Sequence, residues 1–374
     1  MNMSVSIPDA GLMARAARVA TIAAKHADAV DAAGRFPREA VDAMIAERLL
    51  GIQIARSHGG EDADFSKIAE LCSILGQACA ASAMVFAMHH IKLSSLVQHG
   101  SESAWHTAFM RRVADEQLLL GSATTEGGIG GNLRNSICAI AVKDGVCHLE
   151  KDATVISYGD YADAILITSR SNPEAASSDQ VMTVFLKEQY TLEKTHVWDT
   201  LGMRGTCSDG FLFKGTAPAE QIFPKPFAEI AAQSMLAASH LLWSGVWHGI
   251  AADAVSRAQA FVRAAARKSP GAMPPGALRL AYEEAKADPE RLSSMGFSVA
   301  MNNVKLCSSE TILAIVNHAM LICGIMGYKN GTPFSLGRHL RDAHSAQLMI
   351  SNDRILSNMS TMLLVHKLDT SLLG

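Results

Sequence analysis

Hydrophobic positions change texture twice along the chain. In FPREAVDAMIAERLLGI (36–52), Val41, Met44, Ile45 and Leu49 stand three or four apart. That spacing, with Pro37 just inside the start and Gly51 as the stop, predicts a helix. The helical pattern runs on through DFSKIAELCSILGQACAASAMVFAMHHIKLSSLVQHG, where Gly100 ends it. Between 120 and 226 the apolar runs shorten to AILITS (164–169), VMTVFL (181–186) and GFLFKG (210–215), with SNPEAASSDQ (171–180) as a turn-rich spacer. Short runs rich in Val, Ile, Thr and Phe and bounded by Gly, Asp and Pro are strands. After FPKPF (223–227) helical spacing resumes in ASHLLWSGVWHGIAADAVSRAQAFVRAAARK, is broken by SPGAMPPG, and returns over 290–323 and 337–369.

Helix, strand and helix again predict a mostly α protein of three parts. They are an N-terminal helical domain (1–119), a middle β-domain (120–226) whose length suits a barrel or sandwich, and a C-terminal helical bundle (227–374).

Composition narrows the function classes. Of 374 residues, 49% are hydrophobic and 18% charged, and the formal net charge is −3, so there is no nucleic-acid footprint. The stretch LCSILGQACAASAMVFAM (71–88) is uncharged over a span-like length. Its Gln77, its serines and the following His89-His90 predict a buried helix rather than a membrane span, because polar groups are costly in lipid. The start of the chain lacks the basic and apolar regions of a signal peptide. The seven cysteines form no CxxC pair, which reads as small buried residues in a reducing compartment such as the cytoplasm. Neither cysteines nor histidines have ligand spacing, so no metal site is expected.

Six segments, in order, resemble the acyl-CoA dehydrogenase family. FPREAVDAMIAERLLGIQIARSHGG is similar to its N-terminal helix and glycine-pair loop, and ATTEGGIGGN (123–132) to its flavin loop Thr-Glu-Pro-Gly-x-Gly-Ser-Asp. VISYGDYAD (155–163) resembles Trp-Ile-Thr-Asn-Gly…Ala-Asp, and LGMRGTCSDGFLFKGTAPAEQIF (201–223) resembles the Leu-Gly-Met-Arg-Gly-Ser segment near the substrate. ARKSPG (266–271) resembles Arg-x-x-Phe-Gly, and ICGIMGY with Arg341-Asp342-Ala343 resembles Gly-Gly-x-Gly-Tyr…Arg-Asp-Ala. The resemblance implies N-terminal helices, a middle β-barrel, a C-terminal four-helix bundle, FAD as cofactor, and a homodimer or homotetramer. It also implies α,β-dehydrogenation of an acyl thioester, on CoA or on a carrier protein, with an electron-transfer flavoprotein as acceptor.

Carried over residue by residue, the resemblance sets Thr124 and Thr125 at the flavin ring edge, where a hydroxyl and an amide N–H satisfy ring heteroatoms. Gly130 and Gly131 let the backbone approach closely. Ser157 falls where a Thr hydroxyl stands near flavin N5, and Val155 where a Trp stacks. Arg267, with Ser269 beside it, falls at the pyrophosphate, which a planar guanidinium grips in a fork. Ser351 and cofactor-binding Asn352 fall where the family has Gly-Thr, while Leu321 replaces a glutamine used for the adenine side and Ile325 replaces the second glycine. Arg341-Asp342 reads as a structural pair capping the last bundle helix.

The departure that matters is the proton acceptor. The usual glutamate falls at Ile350, and the alternative position, counted from Gly245 and Gly249, falls at Ser239. Neither is a carboxylate, and losing general-base catalysis costs about 10²–10⁴ in rate. Three substitutes present themselves. Asp353 lies one helical turn beyond Ile350, His240 adjoins Ser239, and Glu126 sits in the flavin loop. The expectation is therefore a dehydrogenase with a non-standard base, Asp353 or His240. The alternatives are a flavin monooxygenase using oxygen on the same fold, with His344 near the last helix, and a catalytically silent flavoprotein.

Overall fold

The architecture is taken from a computed structural model, which describes residues 11–129, 132–268 and 297–356. Five helices come first: α1 (Leu12–Ala33), α2 (Arg38–Ala46), α3 (Phe65–Ala78), α4 (Ala80–His99) and α5 (Ala104–Glu116). Local signals set their ends. Gly34 closes α1 at φ 59, the Asp64 side chain accepts from Lys67 N–H at the start of α3, and Ser103 does the same for His106 in α5.

Two helix ends differ from the sequence expectation. Helix α2 stops at Ala46, not at Gly51. The buried imidazoles of His90 and His89 bond to Leu49 O (3.1 Å) and Leu50 O (2.7 Å), and Gln117 Oε1 accepts from Leu50 N–H, so tertiary partners take those backbone groups. The apolar stretch 71–88 is not one helix either. Cys79, extended at φ −154 and ψ 110, breaks it between α3 and α4. By length and composition α4 would cross a membrane, but 89% of that apolar window is buried inside the protein.

The middle region forms two sheets. Strands β1 (Leu120–Ala123), β4 (Ala164–Arg170) and β5 (Gln180–Leu186) make one, with β1 parallel and β5 antiparallel to β4. Strands β2 (Ala141–Lys143), β3 (Val146–Ala153), β7 (Gly210–Pro218) and β6 (Tyr190–His196) make the other, all antiparallel. Alternation along β3 turns Cys147, Leu149, Lys151 and Ala153 inward. Phe185 of β5 meets Phe213 of β7 edge-on at 5.1 Å, which holds the sheets together. Lys151, at an inward position, crosses between the sheets and donates to Thr168 O at 2.7 Å.

The chain then enters a short helix α6 (Phe227–Ile230), a π-helical turn (Ala231–Met235) and the long α7 (Leu236–Lys268). Helices α8 (Phe297–Cys323), α9 (Ile325–Tyr328) and α10 (Gly337–Leu348) follow. Helix α7 packs tightly on α3 because Gly245, Gly249 and Gly76 sit at the crossing. A Cβ on Gly249 would lie 2.3 Å from Ser73 O. The sequence predicted one helix over 337–369, yet α10 ends at Leu348. Residues 349–351 turn, with Ile350 at φ 47, before helix resumes at Asn352.

Candidate functional site

Three segments converge on one rim of the β-domain. The chain leaving β1 carries Thr124 and Thr125, and Thr125 Oγ1 donates to Val155 O at 3.3 Å. Just beyond, Tyr158 adopts φ 43, and its buried hydroxyl donates to Leu120 O at 2.9 Å, tying the turn back to β1. Its N–H donates to Thr206 O at 2.8 Å, which brings in the third segment. Ser157, just before that turn, lies 2.8 Å from the Ser208 hydroxyl. Ser208 lies 2.8 Å from the Thr206 hydroxyl, and Thr206 donates to Met203 O at 2.9 Å. The rim is thus a row of hydroxyls held by backbone.

Glu126 closes the loop behind it. Its carboxylate accepts from Cys138 N–H (2.6 Å), Ile137 N–H (3.0 Å) and Ser136 Oγ (2.8 Å). Burial pushes its pKa up, but those donors outweigh burial and hold it below the ordinary carboxylate value. A carboxylate so engaged is a structural staple, not a base.

The segment 201–206 is gripped from both sides. Asp342 of α10 accepts Met203 N–H at 2.7 Å, and Arg341 donates to Leu201 O at 3.1 Å while pairing with Asp31 of α1. Arg204 donates to Asp31 O at 2.8 Å and to Thr200 O at 2.9 Å. Arg341 and Asp342 are therefore structural, as expected, but they do not cap their own helix. Each reaches across to the loop. Burial raises the Asp342 pKa to about 6 against the pull of the Met203 N–H and neighbouring arginines.

The expected base positions lie on the C-terminal helices and the turn after α10. Ile350 sits in the turn after α10, and Ser239 donates to Met235 O at 2.7 Å. His240 is buried in α7. Asp353 is exposed, and the turn at 349–351 removes the continuous face that would have aligned it with Ile350. His344 is exposed as well. Asn352 is held by α8: its Oδ1 accepts from Lys305 Nζ, and its Nδ2 donates to Ser309 Oγ at 3.1 Å. Arg267 is exposed near the end of α7. Gly130, Gly131 and Ser269 lie outside the described residues.

Besides Lys151, sequence reasoning passed over two more buried lysines. Lys92 of α4, 6% exposed, has Met235 Sδ at 3.5 Å, and burial lowers its pKa to about 8. Lys305 of α8 lies under the Trp247 ring at 5.9 Å, and burial likewise lowers its pKa to about 8. The signal for Lys92 was present: it is the one Lys, Arg, Asp or Glu in AASAMVFAMHHIKLSSLVQH.

Thr124, Thr125 and Ser157 give the rim hydroxyls of the kind that could meet the heteroatoms of a planar ring such as the isoalloxazine of a flavin. A shallow concavity of about 480 Å³ on the four-stranded sheet, lined by His148, Glu150 and Lys214 among others, shares no residue with the rim. Among the described residues no cluster of potential metal ligands occurs.

Residues 12–116 match the family model described as acyl-CoA dehydrogenase, N-terminal domain. Cyclohex-1-ene-1-carbonyl-CoA dehydrogenase of Geobacter metallireducens is 26% identical over 52% of this chain, and the match spans about half (51%) of that relative's length. Among solved structures, FMN-bound TdsC of Paenibacillus sp. A11-2 superposes with a TM-score of 0.78 at 17% identity, over 96% of this chain and 98% of that one. Butyryl-CoA dehydrogenase of Megasphaera elsdenii gives 0.75 at 18% identity, over 95% and 100%. A nitrososynthase of Micromonospora carbonacea var. africana gives 0.76 at 18%, over 95% and 96%. At such identities the likeness is one of fold.

Proposed function

We propose that this chain, which has the acyl-CoA dehydrogenase fold and matches that family's N-terminal domain model over residues 12–116, is a flavin-dependent oxidoreductase that desaturates an acyl thioester between Cα and Cβ. The observation that carries this reading is the 201–206 segment. Its Leu-Gly-Met-Arg-Gly-Thr sequence resembles the thioester-using members, and it is locked against the hydroxyl rim by Asp342, Arg341 and Arg204. The partial sequence match to a protein named as a CoA-thioester dehydrogenase points the same way.

The flavin would supply hydride acceptance, and this chain's residues would do the rest. Thr124, Thr125 and Ser157 meet the ring, and Arg267 answers the phosphate. His240, buried beside Ser239, is the proposed proton acceptor, and its burial ranks it above the exposed Asp353. FAD is the proposed form. Exposed Leu321, Ile325 and Tyr328 at the end of α8 and on α9 make an apolar surface suited to a second copy, in a cytoplasmic homodimer or homotetramer. An electron-transfer flavoprotein is the proposed acceptor.

One observation favours a second reading. Neither base position holds a carboxylate, which suits a monooxygenase, where reduced flavin meets oxygen and no α-proton is removed. The test is the visible spectrum of the purified protein during anaerobic addition of saturated acyl-CoAs and one carrier-protein thioester. Bleaching supports desaturation. A flavin that stays oxidised with all of them, yet consumes oxygen once reduced, moves the assignment to the monooxygenase. A protein that takes up no flavin ends both.

A further inference from the structure

We infer that the buried chain Ser157–Ser208–Thr206 fixes Ser157 as a hydrogen-bond acceptor toward its ligand, with Ser208 as the positioning residue that sets this polarity. The inference rests on the flavin reading above and adds to it which oxidation state of the flavin the rim prefers.

The argument is a count of hydrogens. A serine or threonine hydroxyl has one hydrogen and two lone pairs. A carbonyl oxygen only accepts. Met203 O receives Thr206 Oγ1 at 2.9 Å, so the single Thr206 hydrogen is committed there. The 2.8 Å contact between Thr206 and Ser208 then requires the Ser208 hydrogen. The 2.8 Å contact between Ser208 and Ser157 in turn requires the Ser157 hydrogen. Ser157 is left with lone pairs alone for anything that meets it. All three are buried (Ser157 7%, Ser208 4% and Thr206 3% exposed), so bulk water does not compete to reverse the chain. The anchor is also fixed. Asp342 holds Met203 N–H, which fixes the loop that carries this carbonyl, and the Thr206 hydroxyl is nearer to it (2.9 Å) than the two N–H groups that share it, Thr206 N–H and Trp198 Nε1 (3.1 Å each).

A lone serine would rotate to donate or accept as its partner required. This one has lost the choice. An oxidised flavin presents a lone pair at N5 and a reduced flavin an N–H, so an acceptor-only hydroxyl there favours the reduced form. Unpaired lone pairs facing each other in a dry site cost free energy, whereas an N–H facing an acceptor is satisfied.

The experiment compares affinities for oxidised flavin and, anaerobically, reduced flavin, using the full-length protein stripped of cofactor. Ser208→Ala returns the Ser157 hydrogen to the ligand side, so the ratio of oxidised to reduced dissociation constants falls roughly three- to tenfold. Thr206→Val acts in the same direction and carries the test if the first variant does not fold, while Thr206→Ser retains the original ratio. In a Ser157→Ala background, Ser208→Ala has no further effect. An unchanged ratio in folded, flavin-binding Ser208→Ala overturns the inference, as does an equal change without the Ser157 hydroxyl. Failure of the unsubstituted protein to bind flavin in either state overturns the flavin reading itself.

Discussion

Asp342 accepts the backbone N–H of Met203 at 2.7 Å, joining α10 to a β-domain loop across 139 positions of sequence. The bond is buried, and its carboxyl titrates at about 6 rather than near 3.8 because burial disfavours the charge. A raised folded pKa contributes stability that is complete below the unfolded value and lost as pH rises through about 6. Asp342→Asn keeps an acceptor for Met203 and abolishes the titration. The variant therefore gains stability relative to the native protein between about pH 4 and about pH 7. Urea denaturation at both ends of that range checks this, and an equal offset at both would refute the assignment.

Gly202 lies against the same helix. A Cβ there would stand 2.3 Å from Arg341 O and 2.8 Å from Asp342 N, both backbone atoms with little freedom to yield. Gly202→Ala is expected to cost about 1–3 kcal/mol, as overpacking does, and to weaken flavin retention along with stability. Denaturant midpoints and the flavin absorbance of the purified variant read both effects.

Glu126 tests whether the loop carboxylate is structural. Glu126→Gln sets an amide where Cys138 N–H, Ile137 N–H and Ser136 now donate, and costs roughly 1.5–3 kcal/mol, the range for hydrogen bonds to a charged group. Its folded pKa is depressed, so its stabilisation is present above the ordinary carboxylate value and lost as pH falls through the folded one. Thermal melts of both proteins from neutral to acidic pH should therefore converge at the acid end.

Lys92 is a buried cation whose observed neighbour is a thioether, and burial alone brings its pKa to about 8. The depressed value means that the folded state resists its charge, a cost that grows as pH falls from the unfolded value and is full below about 8. Lys92→Met removes that cost, so the variant should melt higher at neutral pH, with the gain vanishing near pH 10. A lower melting temperature at pH 7 would show that the amine has a stabilising partner.

For the proton acceptor, anaerobic flavin bleaching by an accepted thioester should slow by about 10²–10⁴ in His240→Gln and stay within a few-fold of native in Asp353→Asn. The reverse pattern would move the role to the final helix.

Much of this was legible because local pattern and tertiary fate agreed. AILITS, VMTVFL and GFLFKG became β4, β5 and β7, since short apolar runs between turn signals have few other uses. Strand β3 was harder to see. VCHLEKDA alternates, but its inward Lys151 reads as polar until the Thr168 carbonyl supplies its partner from the opposite sheet. The early end of α2 and the turn at 349–351 escaped because distant groups decide them: two imidazoles on α4 for Leu49 and Leu50, and Lys305 with Ser309 on α8 for Asn352. At the site, the resemblance set Ser157 by the flavin ring and the 201–223 segment by the substrate, while the hydroxyl chain from Ser157 through Ser208 to Thr206 needed distances. A sequence names hydroxyls without saying which way their hydrogens point.

The grip of Arg341 on Asp31, 310 positions apart, has a consequence for how the molecule is made. During synthesis α1 emerges early and the 201–206 loop midway, bringing the Arg204 contact to Asp31 O with it, but the Arg341 and Asp342 side of the grip arrives only with α10. The nascent chain can fold its first helices and both sheets while the hydroxyl rim still lacks its clamp. Full clamping of the rim thus becomes a late event, waiting on a helix that emerges more than a hundred residues after the loop it holds.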